Sequence, residues 1–96
     1  PLMVTENGGA FPDELDGENV HDPERTDYYY QHISACADAI DEGIDLRGYY
    51  CWSLMDNIEW AEGLEKRFGL FYVDHQTQKR TAKGSAKFIK ELLASR

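Results

Sequence analysis

Gly48-Tyr-Tyr-Cys-Trp-Ser-Leu-Met-Asp-Asn-Ile-Glu-Trp60 begins as an almost continuously apolar run and ends in carboxylates set between two indoles. Such a run reads as a strand over Gly48 to Met55, covered on both faces. Far upstream, Pro1-Leu-Met-Val-Thr5 has the same character and also stops at an acid, in Thr5-Glu6-Asn7-Gly8. Between the two lies a helical segment of about the length that a strand–helix–strand crossover requires. Strands joined that way run parallel, so their C-terminal ends share one face. Glu6 and the Trp52 to Trp60 segment are therefore expected to converge.

The rest of the chain fits around that unit. Glu6 to His21 is rich in Gly, Asp, Asn, Glu and Pro and reads as a long loop, functional at its start and exposed from Asp13 to Asn19. Asp22-Pro23 is a helix-start signal: Asp22 can cap with its carboxylate, and Pro23 suits the first helical position. Tyr29, Ile33, Cys36, Ala37 and Ile40 recur at helical spacing and predict one apolar stripe. Gly43 is expected to end the helix as a left-handed cap with Ile44 beyond it. His32 reads as an interhelical or helix–loop hydrogen-bonder. Asp56 to Phe68 is a second long loop. Gly69 to Val73 and Lys79 to Thr81 predict a hairpin across Asp74 to Gln78, with His75 at its tip. A last helix is expected from Thr81 or Ser85, burying Ala86, Ile89, Leu92 and Leu93.

Ninety-six residues allow one small domain. A chain this short buries only about 60–65% of its unfolded surface, which leaves little margin of stability. The net charge of −8, from 18 acids and 10 bases, argues against nucleic acid or a polyanionic membrane as partner. Cys36 and Cys51 have neither disulfide-like pairing nor metal-ligand spacing, so two reduced thiols, no metal and no cofactor are expected. No run reaches the roughly 18 apolar residues of a membrane span. No signal segment is visible at Pro1-Leu-Met-Val, which favours a cytoplasmic location but leaves it unknown, because the parent's N-terminus is expected upstream. Two βα units cannot cover both faces of their own sheet. The expected architecture is thus α/β, a quarter of a (β/α)8 TIM barrel, whose chemistry sits at the C-terminal strand ends.

Two acids, two indoles and an amide at that rim form a composition suited to a sugar. Glu6, rigidly held after a strand, can act as nucleophile or base, or can simply cap the following turn. Glu59 can accept two adjacent hydroxyl protons, and Trp60 offers an N–H and an apolar face. Trp52 offers a stacking platform, although core packing is the alternative for either indole. Asp56 and Asn57 read as structural groups that tie the loop to its own backbone.

Val4-Thr-Glu-Asn-Gly8, Gly48 to Trp60, Lys66-Arg-Phe-Gly-Leu70 and Tyr72-Val-Asp74 with Gln78-Lys-Arg80 resemble family-1 glycoside hydrolases, in register over essentially the whole chain. The resemblance implies a C-terminal fragment, residues 1–96, of a single TIM-barrel catalytic domain: its last two βα units, strands 7 and 8, with a small hairpin in the last loop. It implies a retaining β-glucosidase acting on terminal non-reducing β-D-glucosyl residues through a covalent glycosyl-enzyme intermediate. Glu6 matches the nucleophile and Trp52 the floor of the glycone site. Glu59 and Trp60 match the pair that binds the outer hydroxyls, and Phe68 an aromatic lining the pocket. The 6-phospho-glycosidase branch has a serine and basic residues in place of the acid–indole pair, so Glu59 implies an unphosphorylated glycone.

The family's acid/base glutamate lies in an Asn-Glu-Pro motif that these residues lack. The chain alone is therefore expected to be inactive and to need the N-terminal part of the barrel as partner, with a β-glucoside or oligosaccharide as substrate. The contrasting expectation is a non-catalytic fragment or inactive homologue that self-associates through its open strand edges and retains residual sugar binding. Thr26, Ala82, Gly84 and Phe88 stand where the family often has an aliphatic, Pro, Asp and Trp; the expectation is that these differences touch helix starts and packing, not the pocket.

Overall fold

The structure, a computed structural model, describes residues 1–57 and 66–95. Strand β1 (Leu2–Asn7), helix α1 (Pro23–Asp41) and strand β2 (Leu46–Cys51) form the expected parallel crossover, with β1 and β2 hydrogen-bonded side by side. A short antiparallel hairpin, β3 (Phe71–Val73) with β4 (Arg80–Ala82), then leads into helix α2 (Gly84–Ala94).

Sequence and structure differ in strand ends. β1 continues through Glu6 to Asn7, because the Asn7 carbonyl still accepts a hydrogen bond, at 2.8 Å, from the Trp52 N–H. β2 starts earlier than Gly48 and stops at Cys51 rather than Met55. Beyond Trp52, whose peptide bond to Ser53 is cis, the backbone turns to the hairpin side: Ser53 N–H donates to the Phe68 carbonyl at 3.2 Å, and Leu70 N–H to the Ser53 carbonyl at 2.8 Å.

Helix α1 ends as its sequence predicts. Gly43 adopts φ +98°, its N–H donates to the Ile40 carbonyl, and Ile44 N–H donates to the Ala39 carbonyl, the paired bonds of a Schellman cap. The start of α1 is different. Asp22 makes no side-chain cap to its own helix. Its carboxylate instead accepts the Ser85 N–H at 2.8 Å and the Ser85 hydroxyl, so it caps the first turn of α2 across 63 residues. Lys83, the residue before α2, contributes no cap of its own. His32 also departs from expectation: its Nδ1 lies 2.8 Å from the Tyr28 carbonyl in the same helix, and its ring stacks on Tyr28.

Among the described residues the buried apolar core is small: Val20, Tyr29, Leu70 and Val73. Ile40, Leu92 and Leu93 remain exposed, so the stripes on α1 and α2 are only partly covered. A cavity of about 560 Å³ runs between α2 and the hairpin, lined by Leu54, Leu70, Phe71, Ile89 and Leu93 among others. Leu2, Met3 and Tyr50 on the strands are exposed as well. These surfaces are what two βα units leave uncovered when no further strands or helices pack against them.

A buried chain of charges forms the polar interior. Arg67 pairs with Asp56 at 2.7 Å, Asp56 with Lys83 at 2.7 Å, Lys83 with Asp13 at 2.6 Å, and Arg25 with both Asp13 and Asp22 at 2.8 Å. The side chains of Lys83, Arg25 and Asp56 are wholly inaccessible. Asp13, read from sequence as exposed, is buried here because two cations converge on it. Asp56 also accepts the Gly69 and Val73 N–H groups, as its loop-tying role predicts. The Asn57 amide oxygen, by contrast, has no partner among the described residues.

Three acids and three bases balance in this cluster, so deleting one leaves a buried charge unpaired. Lys83→Met is expected to destabilise the fold by about 3–5 kcal/mol by stranding Asp13 and Asp56; chemical denaturation checks this. Burial alone would push the Asp56 carboxyl up, but hydrogen bonds from Lys83 and Arg67 outweigh it and hold it below the usual carboxylate range. Its contribution is therefore complete above the unfolded value of about 3.9 and is lost as pH falls through the lowered folded value. Thermal unfolding followed from pH 6 downwards should show this loss in the wild type, and Asp56→Asn should flatten that acid limb.

Candidate active site

Parallel pairing brings the two sequence-predicted segments to one rim. Asn7 is in register with Cys51, so Glu6 and Trp52 stand at the C-terminal ends of neighbouring strands, tied by the bond from Trp52 N–H to the Asn7 carbonyl. Both side chains are exposed at that rim. Phe68 is half-buried, and its carbonyl accepts the N–H of Ser53, the residue after Trp52. Backbone bonds thus link the chain beside Glu6, at Trp52 and at Phe68. Glu59 and Trp60 lie outside the described residues.

Tyrosines lock this rim from the side of α1. Tyr29 is fully buried and donates its hydroxyl to the Trp52 carbonyl at 3.1 Å. Burial pushes the hydroxyls of Tyr29 and Tyr49 above the ordinary tyrosine range, so both remain neutral donors. The Asn7 amide donates to the Tyr28 hydroxyl at 3.3 Å and accepts a short hydrogen bond from the Tyr49 hydroxyl. Phe11 and Tyr28 meet edge to face, and Arg25 lies over the Phe11 ring, which carries the packing on into the ion cluster.

The β1–α1 loop is bound to the second loop directly. Phe11 and Arg67 exchange both backbone hydrogen bonds at 2.9 Å, and Arg25 Nη2 donates to the Arg67 carbonyl at 2.5 Å. The return limb of the Asp56–Phe68 loop is therefore fixed against the loop that follows Glu6. Sequence reasoning missed this set of Asp13, Arg25, Arg67 and Lys83. Of the ion cluster's pairs only Asp22 with Arg25, three apart on a helix start, is local; Lys83 and Asp13 are 70 residues apart.

Thr26, Gly84 and Phe88 line a separate groove of about 500 Å³ between the first turns of α1 and α2, with His21, Asp27 and Tyr30. Glu6, Trp52 and Phe68 do not line it. Three of the four positions expected to depart from the family pattern thus lie where α1 and α2 face each other, while Ala82 lines the cavity between α2 and the hairpin.

Comparison with known proteins defines the class first. The fold matches part of a β-glucosidase from Exiguobacterium marinum with a TM-score of 0.95 and 52% identity, over 99% of this chain and 22% of that one. It also matches a family-1 β-glucosidase from Exiguobacterium antarcticum with a TM-score of 0.96 and 47% identity, over 99% of this chain and 21% of that one. These are (β/α)8 barrels, of which the chain corresponds to a small part. The "Glycosyl hydrolase family 1" pattern matches residues 1–96, and the chain belongs to that family.

Among curated relatives, a bifunctional β-D-glucosidase/β-D-fucosidase of Bifidobacterium breve is 52% identical over 98% of this chain and 22% of its own length. A 6-phospho-β-galactosidase of Staphylococcus epidermidis is 50% identical over 99% of this chain and 21% of its own length. The chain thus spans about a fifth of the relatives it matches.

Gly8 shows how tightly the rim is built. A Cβ at this position would stand 1.9 Å from the Trp52 carbonyl oxygen and 3.2 Å from the Tyr29 hydroxyl. Gly8→Ala must push β1 and Trp52 apart, at an expected cost of at least about 1–3 kcal/mol. A lowered midpoint in chemical denaturation is the expected observation.

Proposed function

We propose that this chain is the C-terminal part, residues 1–96, of a single-domain retaining β-glucosidase barrel, contributing its seventh and eighth strands, the nucleophile and part of the glycone site. The observation that carries this reading is the placement of Glu6 and Trp52 on neighbouring C-terminal strand ends, joined through the Asn7 carbonyl. A carboxylate held beside an indole at that rim suits attack on a sugar stacked against the ring.

In the first step a Glu6 carboxylate oxygen bonds to the anomeric carbon while the glycosidic C–O bond breaks. A second carboxylic acid, from the part of the barrel outside this chain, gives its proton to the leaving oxygen. In the second step water, deprotonated by that same group, attacks the anomeric carbon and releases the sugar and the Glu6 carboxylate. Retention of configuration needs the two carboxyl groups about 5–5.5 Å apart. Trp52 forms the floor of the glycone site, Phe68 lines it, and Glu59 with Trp60 binds the outer hydroxyls.

The relatives' names span glucosides, fucosides and 6-phospho-galactosides at similar identity. Overall identity therefore does not choose the substrate. Glu59 favours an unphosphorylated glycone, because a carboxylate at the outer hydroxyls repels a phosphate.

The isolated chain, which lacks the Asn-Glu-Pro motif expected to protonate the leaving group, is expected to release no aglycone from a chromogenic aryl β-glucoside. Combined with the complementary barrel segment it is expected to do so, and Glu6→Gln should abolish turnover. The competing reading, a self-associating non-catalytic fragment, draws on the exposed Leu2, Met3 and Tyr50. Under it, Glu6→Gln changes nothing measurable in the same assay.

A further inference from the structure

We propose that Asn7 is a positioning residue that decides which face of β1 presents Glu6; the proposal rests on the reading of Glu6 as nucleophile. The pairing of β1 with β2 is interrupted between Val4 and Asn7. Val4 is in register with Tyr49 and Asn7 with Cys51, so β1 carries one more residue across this interval than β2. That is a β-bulge centred on Thr5 and Glu6.

The bulge matters because strand side chains alternate with a period of two. In a regular strand Glu6 would share the face of Val4, and Asn7 would take the opposite one. Exposure follows the same shift: Val4 and Asn7 are both half-buried, while Thr5 and Glu6 between them are both exposed. One extra residue therefore turns Glu6 out to the rim and turns Asn7 in towards α1.

Asn7 holds that turn through three bonds in different directions. Its carbonyl accepts the Trp52 N–H at 2.8 Å, which fixes the strand end to the indole. Its side-chain oxygen accepts from the hydroxyl of Tyr49, the residue opposite Val4 on the near side of the bulge. Its side-chain nitrogen donates to Tyr28 on α1. The Tyr49–Asn7 bond spans the bulge, and the Tyr28 bond anchors its far end to the helix. An amide serves here because it presents an acceptor and a donor from one planar group.

The test is made in the complete barrel with Asn7→Leu and Tyr49→Phe, the second removing a single oxygen atom. The rate of covalent trapping by a 2-deoxy-2-fluoroglucosyl donor is measured beside the inhibition constant for glucose. Misaiming the nucleophile by about an ångström should lower trapping on the order of 100-fold for Asn7→Leu, and about tenfold for Tyr49→Phe. Glucose inhibition should stay within about threefold in both variants, because a displaced nucleophile costs reaction geometry more than ground-state binding. Trapping unchanged in Tyr49→Phe and Asn7→Leu overturns the proposal, and so does a proportional loss of trapping and glucose binding, which marks a merely structural role. Should Asn7→Leu fail to fold, Tyr49→Phe alone decides. Glu6→Gln run alongside separates the two ideas: trapping that survives it sinks the nucleophile assignment itself, whatever Asn7 does.

Discussion

Lys83 is the side chain on which most of this chain depends. Its ammonium group, wholly buried, lies 2.6 Å from Asp13 and 2.7 Å from Asp56. Those carboxylates belong to the two long loops, one after each strand. Removing an ammonium from water costs several kcal/mol, and only close opposite charges with good geometry offset it. The loops therefore have one arrangement in which Lys83 can be buried, and they take it. Arg25 and Arg67 extend the same logic, joining Asp22 and the α2 start at one end and the Val73 carbonyl at the other.

The ion cluster and the tyrosine-lined rim meet through Phe11. Arg25 lies over its ring, and Tyr28, whose hydroxyl accepts from Asn7, packs against its edge. The Phe11 backbone is paired with Arg67. A shift in the cluster must therefore move either the ring beneath Tyr28 or the return limb of the second loop. Glu6 and Trp52, although exposed, inherit their positions from groups that are not.

What the sequence reveals follows from the range of the interactions. The crossover, the left-handed Gly43 cap and the hairpin around Asp74 rest on neighbours in the chain, and each was legible. The Asp74 carboxylate, for example, accepts the Gln76 and Thr77 N–H groups within its own turn. Glu6 and Trp52 were legible as a pair because parallel strands have only one way to align their ends. The partners of Asp22 and Asp13 were not. Each could satisfy a local rule, an N-cap and an exposed loop acid respectively, and each was captured instead by a cation or an amide far away in sequence. The bulge at Glu6 was hidden for another reason: one extra residue alters which face each side chain takes without altering the composition of the strand.

Polar and apolar interiors are divided differently in this chain. All six charges of the buried cluster come from within its 96 residues, so its loop arrangement is closed and electrically balanced. The apolar surfaces are not closed: Leu2, Met3 and Tyr50 on the strands and Leu93 on α2 are exposed. Charges are satisfied at contact distance by a few partners, whereas an apolar face is covered only by a whole neighbouring element. A segment of two βα units can therefore carry a balanced buried ion cluster beside an incompletely covered sheet. The strand ends at Glu6 and Trp52 are thus tied by hydrogen bonds from within the chain, while the sheet that carries them stays partly open.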